Sequence, residues 1–400
     1  MNPNTDKLYL YLCKNIELLQ LPIIVEDGCD VFPILFSKIE QYIQLLCGND
    51  CLRKYVHNAE IIVQRLKEAI ESYLKGNINI ANDIIMLILE DTKKMGGKLI
   101  ISTIDECLSE DEMDQLYKAR TGSFQPFSED EMLHIPFNKR GLVQNQRYSI
   151  NGMPCLYLGT STYVCWEELS RPDFNSFWVS RYEVKDTRLK ILNLSYTLQD
   201  IMNYKNHNSN DYELERTLIE YFLYWIIQCA CSIFVKNKNR VFKEEHIIPQ
   251  LIMQNIRRTD IDGIMYFSTR GKYTAGYRAW IMKNFAFPAD DYEILTDNVF
   301  DNEKYKENKL SRKLKEAFSL TAPLNMGLIR VRSGNEFCIS EETKCINEAL
   351  KYIEIAKPSI NSDRISSLIA LSEKNYMRYE YTKFYEMELE LRYMIANRIT

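Results

Sequence analysis

Arg147, Tyr157 and Glu168 lie in one short stretch and together offer a fixed cation, an aromatic ring and a carboxylate. A planar guanidinium forms paired, charge-assisted hydrogen bonds with phosphate oxygens. A phenol ring presents its face to a cationic base. A carboxylate stabilises positive charge that develops on a sugar. That inventory suits a nucleotide. Each residue also has an ordinary use: Arg147 as a surface arginine paired with a local acid, Tyr157 as a strand residue packed on a core, and one of Glu167 and Glu168 as a solvated helix residue.

The elements around these residues form a compact strand-to-helix unit. Arg147 opens a short extended run, and Asn151-Gly152-Met153-Pro154 has the composition of a tight turn. Cys155 to Gly159 follows as a strand, and Thr160 or Ser161 can cap a helix that carries Glu167 and Glu168. Further along, Trp178 to Val184, Leu189 to Leu194 and Gly263 to Ser268 have strand character. Leu214 to Val235 and Ile247 to Ile256 have helix character. Short strands alternating with helices imply an α/β or α+β fold with a compact sheet.

With 400 residues and 46% hydrophobic content the chain can bury a full core and divide into two or three domains. Its net charge of -5, with acids and bases interspersed, supplies no field drawing it to nucleic acid. The opening residues lack the basic start and apolar run of a signal peptide, so the eleven cysteines are expected to stay reduced in a cytoplasm. Cys47 and Cys51, with His57 nearby, lack the second ligand pair of a structural zinc site, and no metal is expected. Cys229 and Cys231 cannot share one helix face and are assigned to packing. Leu218 to Val235 is long and apolar, but Glu220, Gln228 and Ser232 interrupt it; a buried helix is expected, not a membrane span.

Four segments in order resemble the RES domain family. They are the Arg147, Tyr157 and Glu168 unit around its Gly152-x-Pro154 turn, the earlier Leu116-Tyr117-Lys118-Ala119-Arg120, the later His246-Ile247-Ile248-Pro249-Gln250-Leu251, and Asp262 to Arg270, which contains Ser268. The resemblance covers residues 114 to 285. It implies an α+β fold similar to that of ADP-ribosyltransferases, with a mixed, split sheet core, and an enzyme that destroys NAD. Arg147 would then hold the diphosphate, Tyr157 the nicotinamide and Glu168 the ribose, with Lys118, Arg120 and Ser268 as further substrate contacts. NAD is a substrate here, and no cofactor is implied. The chain departs from the family in having Lys118 where many relatives have arginine, and Gln146-Arg147-Tyr148 in place of a Gly-Arg-Trp.

The resemblance further implies a toxin restrained by an antitoxin or acting in phage defence, with water or phosphate as acceptor. The alternatives are an ADP-ribosyltransferase acting on a macromolecule and a nucleotide-binding or interaction protein without turnover. A homo-oligomer is compatible with the terminal regions. The expected division is a helical domain at 1–97, the RES-like region at 98–300 and a mainly helical region at 301–400.

Around the ends, Ala59, Ile62, Val63, Leu66, Ile70 and Tyr73 recur at helix spacing until Gly76, and a second helix starts at Ile80. Gly96-Gly97 and a strand-like Lys98 to Ser102 mark the expected boundary, followed by a short acidic helix over 108–116. Lys304 to Lys315 has the pattern of a solvated helix face. Gly327 to Val331 is expected as a strand, and Glu342 to Ala356 and Arg364 onward as helices. The last of these bears a packing stripe of Met387, Leu391, Met394 and Ile395.

Overall fold

The computed structural model describes residues 8, 11–12, 14–95, 101–108, 115–122, 125–196, 211–237, 239–270, 279–289, 310–330, 379 and 382–398. Within them the chain is α+β. Its strands are β1 (Ile23–Val25), β2 (Ile101–Thr103), β3 (Leu116–Thr121), β4 (Cys155–Gly159), β5 (Phe177–Val184), β6 (Lys190–Leu194), β7 (Ile233–Val235), β8 (Gly263–Phe267), β9 (Lys283–Pro288), β10 (Phe318–Leu320), β11 (Leu324–Asn325) and β12 (Asn397–Arg398). The main helices are α1 (Val31–Cys47), α2 (Val56–Leu74), α3 (Ile78–Met95), α4 (Thr162–Glu168), α5 (Asp211–Cys231), α6 (Ile247–Ile256), α7 (Arg312–Ala317) and α8 (Lys383–Tyr393).

Ten strands form one mixed sheet in the order β12-β10-β5-β3-β4-β9-β8-β6-β2, with β11 also on β5. Its pairs are antiparallel except β6 with β8. The sheet is split in the middle. A single residue pair, Tyr117 with Gly159, registers β3 against β4. Yet β3 stays paired with β5 from Leu116 to Thr121, and β4 stays paired with β9 from Cys155 to Gly159. The two strands therefore diverge beyond that pair and leave a wedge between Ala119 and Tyr157.

The helical N-terminal region shares a core with the rest. Ala59, Ile62, Leu66 and Ile70 of α2 are buried, and they join one apolar cluster with α5, α6, β6 and β8. Tyr42 of α1 stacks on Trp225 of α5 at 4.2 Å and donates to the Phe222 carbonyl at 2.7 Å. Gly76 ends α2 at φ +81°, where Asn77 N–H reaches the Ser72 carbonyl and Gly76 N–H the Tyr73 carbonyl, a Schellman closure.

Two elements differ from expectation. The apolar run ending at Val235 is a helix only to Cys231; Ile233–Val235 forms β7, which pairs in parallel with β1. The β-branched and aromatic residues at 233–235 find a partner strand some two hundred positions earlier, which local periodicity cannot reveal. Residues 221–231 of α5 are all buried, and among the described residues no helix is long and apolar enough to cross a membrane. Gly327 lies in a 3-10 turn (Met326–Leu328) and not in a strand, because Asn325 accepts from Gly327 N–H at 2.8 Å and curls the chain.

The Lys98 to Ser102 run is described only from Ile101, which begins β2, and the 108–116 segment only at its ends. Gly96-Gly97, residues 304–309, Val331, the 342–356 helix and most of 364–381 lie outside the described residues. Met387 and Leu391 are buried on α8, whereas Ile395 is exposed.

Candidate active site

The wedge between β3 and β4 opens into a cavity of about 490 Å³, and its lining includes Lys118, Arg147, Tyr157 and Glu168. Four residues separated in sequence thus face one space. At the apex, α4 packs directly on β4: a side chain at Gly159 would bring its Cβ to 2.6 Å from Val164 and 2.7 Å from Cys165.

Arg147 stands on a loop held from below by α6. The Gln250 amide, almost fully buried, donates to the Gln146 carbonyl at 3.0 Å and to the Asn145 side chain. Ser149 Oγ accepts from Gln146 N–H at 3.0 Å. The guanidinium donates to the Phe267 carbonyl at 3.4 Å and to Thr269 Oγ1, and its carbon lies 5.9 Å from the Tyr266 ring centre. Its Nε is buried without a partner. The loop then turns at Asn151-Gly152, with Gly152 at φ +73° and Met153 N–H on the Ile150 carbonyl.

Tyr157 donates its hydroxyl to the Tyr148 carbonyl. The hydroxyl is thereby occupied, and the ring is the part of the side chain left to meet a ligand. Ser161, not Thr160, caps α4 by accepting from Val164 N–H at 2.9 Å; Thr160 bonds instead to the Trp280 and Lys283 carbonyls.

Consecutive helix residues project about 100° apart, and the two acids at the end of α4 have separate environments. Glu167 is 5% exposed, accepts from the Tyr163 hydroxyl at 2.7 Å and pairs with Arg171 at 2.9 Å. Glu168 is 34% exposed, lines the cavity and accepts from Asn284 Nδ2 at 3.0 Å, with Arg270 Nε at 3.9 Å. After it the chain reverses through Ser170 and Arg171, both left-handed at φ +64° and +59°. Such residues cost roughly 1–2 kcal/mol each, and the Glu167–Arg171 pair, with Arg171 over the Trp166 ring at 5.6 Å, holds that turn.

Lys118 is the cation on the β3 wall. Burial, followed by the nearby Arg120, lowers its ammonium to about 7. Arg120 shares that face of the strand but is absent from the lining; its guanidinium lies over the Phe127 ring at 5.8 Å. Ser268 is also absent from the lining. It is fully buried at the end of β8, and its hydroxyl accepts from Arg270 N–H at 3.1 Å, so it serves the turn that delivers the next two residues. Thr269 and Arg270 occupy the wall instead.

Sequence reasoning missed Asn284 and His246 as cavity residues. Asn284 arrives from β9 through its register with Tyr266, and no local motif marks it. Burial, then the charge of Arg147, lowers His246 to about 3, which keeps its ring neutral. Asp262 and Gly263 are structural. Asp262 accepts from Lys190 N–H at 2.8 Å and pairs with Lys313 at 2.7 Å, while a Cβ at position 263 would meet Phe287 at 2.6 Å. Cys47 and Cys51 are exposed, and among the described residues no three His, Cys, Asp or Glu side chains are grouped to hold a metal ion.

The chain is similar to a protein of Bacillus subtilis (strain 168) described as "Putative toxin YopC", with 32% identity over 289 residues. The match takes in 68% of this chain and 64% of that relative's length. No family model matches the chain, and no solved structure matches it.

Proposed function

We propose that this chain is a toxin-type enzyme that degrades NAD by breaking the bond between nicotinamide and ribose. The observation that carries the reading is the convergence of Arg147, Tyr157, Glu168 and Lys118 on one cavity in a split sheet. The similarity to a relative described as a toxin supports the biological side of it.

The chemistry asks little of the protein beyond placement. Nicotinamide is a cationic leaving group, so it departs with the bonding electron pair as a neutral molecule and needs no general acid. The sugar left behind resembles an oxocarbenium ion, and Glu168, fixed by Asn284, supplies negative charge next to it. An oxygen of water or phosphate then bonds to the anomeric carbon, and water releases a proton to solvent. Arg147 and Lys118 bind the diphosphate, so binding energy remote from the reacting bond positions it. The Tyr157 ring attracts cationic nicotinamide and loses part of that attraction once the product is neutral. With Ser268 and Arg120 outside the lining, Thr269 and Arg270 take over the contacts assigned to them.

Purified protein incubated with NAD, with and without phosphate, should release nicotinamide, identified by mass spectrometry with the ADP-ribosyl product. Glu168→Ala should lower turnover by roughly 100- to 1000-fold, the scale set by losing one preorganised electrostatic group. Arg147→Ala should act chiefly through KM. Intact NAD after exposure to folded protein free of any inhibitor would refute the reading.

A further inference from the structure

We infer that Glu388, on the C-terminal helix α8, is a positioning residue for Glu168: it holds the first turn of α4 and so fixes the place of that helix's last residue. The inference rests on the role proposed above for Glu168 but not on the identity of the substrate.

Helix α4 is seven residues long, too short to be stable alone. Its first-turn N–H groups need acceptors from outside. Ser161 supplies one to Val164. Another comes from 226 residues away: Glu388 Oε1 accepts from Thr162 N–H at 2.7 Å, lies 3.1 Å from Thr162 Oγ1, and accepts from the Tyr379 hydroxyl at 2.5 Å. A carboxylate is also the favoured partner for the positive end of a helix.

Helix α8 is itself anchored. Arg181 of β5, buried in the sheet, donates to the carbonyls of Leu391 and Met394 at 2.9 Å each, which fastens the C-terminal end of α8. Phe384 packs its ring 5.3 Å from those of Tyr163 and Trp166 on α4. The load path therefore runs from β5 through Arg181 to α8, through Glu388 to Thr162, and along α4 to Glu168. At about 1.5 Å per residue the two ends of α4 are about 9 Å apart, so a tilt at Thr162 becomes a displacement at the carboxylate. The path meets the cavity only on α4, since Arg181, Glu388 and Thr162 are absent from its lining.

The test uses the full chain, NAD as substrate, and the variants Glu388→Ala and Glu388→Gln, with folding checked by circular dichroism. The alanine variant should lose roughly 10- to 100-fold in kcat with KM within about twofold, the scale of a small misplacement of a reacting group. Glutamine keeps an acceptor oxygen at the same place and should recover most of that loss. Hydrogen exchange should show the 162–168 amides exchanging faster in the alanine variant. A side chain that served stability alone would lower the melting temperature and leave kcat unchanged. Native kcat in a folded alanine variant, or unaltered exchange over 162–168, overturns the inference. If alanine prevents folding, Tyr379→Phe removes a bond to the same oxygen and should cut kcat several-fold; native kcat there is equally decisive. Should the parent protein release no nicotinamide, the functional reading fails, and the exchange measurement alone decides whether Glu388 holds α4.

Discussion

The cavity has two flanks, and they are secured by different physics. On the Arg147 flank the loop rests on neutral amide and hydroxyl groups: Gln250 to Gln146 and Asn145, and Ser149 to Gln146. Beneath it lies α6, packed in the apolar cluster shared with α2, α3 and α5. On the Glu168 flank a short helix is gripped by carboxylates, with Glu167 paired to Arg171 at one end and Glu388 bonded to Thr162 at the other. Burial lifts the Glu388 carboxyl to about 7. The cation is thus held by bonds that do not titrate near neutrality, and the acid by groups that carry or exchange charge. The contrast predicts which perturbation should reach which partner.

Among the groups that hold the Arg147 loop, the largest effect is expected at Gln250. Replacing it by alanine removes one of two donors to the Gln146 carbonyl, which keeps the Ser149 hydroxyl, and also removes the bond to the Asn145 side chain, each worth about 0.5–1.5 kcal/mol. The loop that carries Arg147 should loosen, raising KM for NAD roughly tenfold while kcat of bound substrate changes little, since about 1.4 kcal/mol corresponds to a factor of ten. Steady-state kinetics on the folded variant provide the check. A fall in kcat with KM unchanged would mean that this loop shapes the acid flank as well, and the division between flanks would not stand.

Much of the architecture around this contrast was legible in the chain itself. Cys155–Gly159, Ile247–Ile256 and Gly263–Phe267 have clear periodicity bounded by Gly or by a helix-starting segment, and the elements lie there. Arg147, Tyr157 and Glu168 were visible as a group because one local unit carries all three. What stayed hidden depends on partners distant in sequence. β7 separated from α5 only because β1 pairs with it, and Asn284 reaches Glu168 only through the β8–β9 register. Glu388 has the spacing of an ordinary acid on an amphipathic helix, and only packing on both sides turns it into a buried acceptor. Ser268 and Arg270 lie in one segment, Asp262 to Arg270. A strand-end turn that consumes the Ser268 hydroxyl decided between them.

A smaller effect, carried by pH, would sharpen the comparison from the β3 wall. The Lys118 ammonium titrates near 7 when folded and in the ordinary lysine range when unfolded. Between those values the unfolded chain binds a proton that the folded chain has released, so stability of the unliganded protein should rise with pH across that window. Affinity for NAD should move the other way. Above 7 a neutral amine no longer attracts phosphate, and affinity should weaken by at most about tenfold per pH unit, one proton's worth of linkage. Lys118→Met should flatten both profiles, measured by thermal melts and titration calorimetry. Affinity that stays level from pH 6 to 9 in the parent protein would place this ammonium away from the bound phosphates.

The smallest effect is expected at Glu167, and it separates two adjacent acids that composition cannot tell apart. Glu167→Gln keeps an oxygen for the Tyr163 hydroxyl but removes the charge facing Arg171. Arg171 is 40% exposed, so solvent screens the pair and the loss should be about 0.5–1 kcal/mol. The left-handed turn at Ser170 and Arg171 then has less to hold it, and the melting temperature should fall by a few degrees, roughly the shift such a loss produces in a large domain. Turnover should stay within about twofold, because Glu168 keeps its bond from Asn284. Glu168→Gln should do the reverse, leaving the melt unchanged and removing most of the activity. If the two variants exchange these outcomes, Glu167 is the acid that faces the sugar, and the turn after α4 must rotate in solution to bring it there.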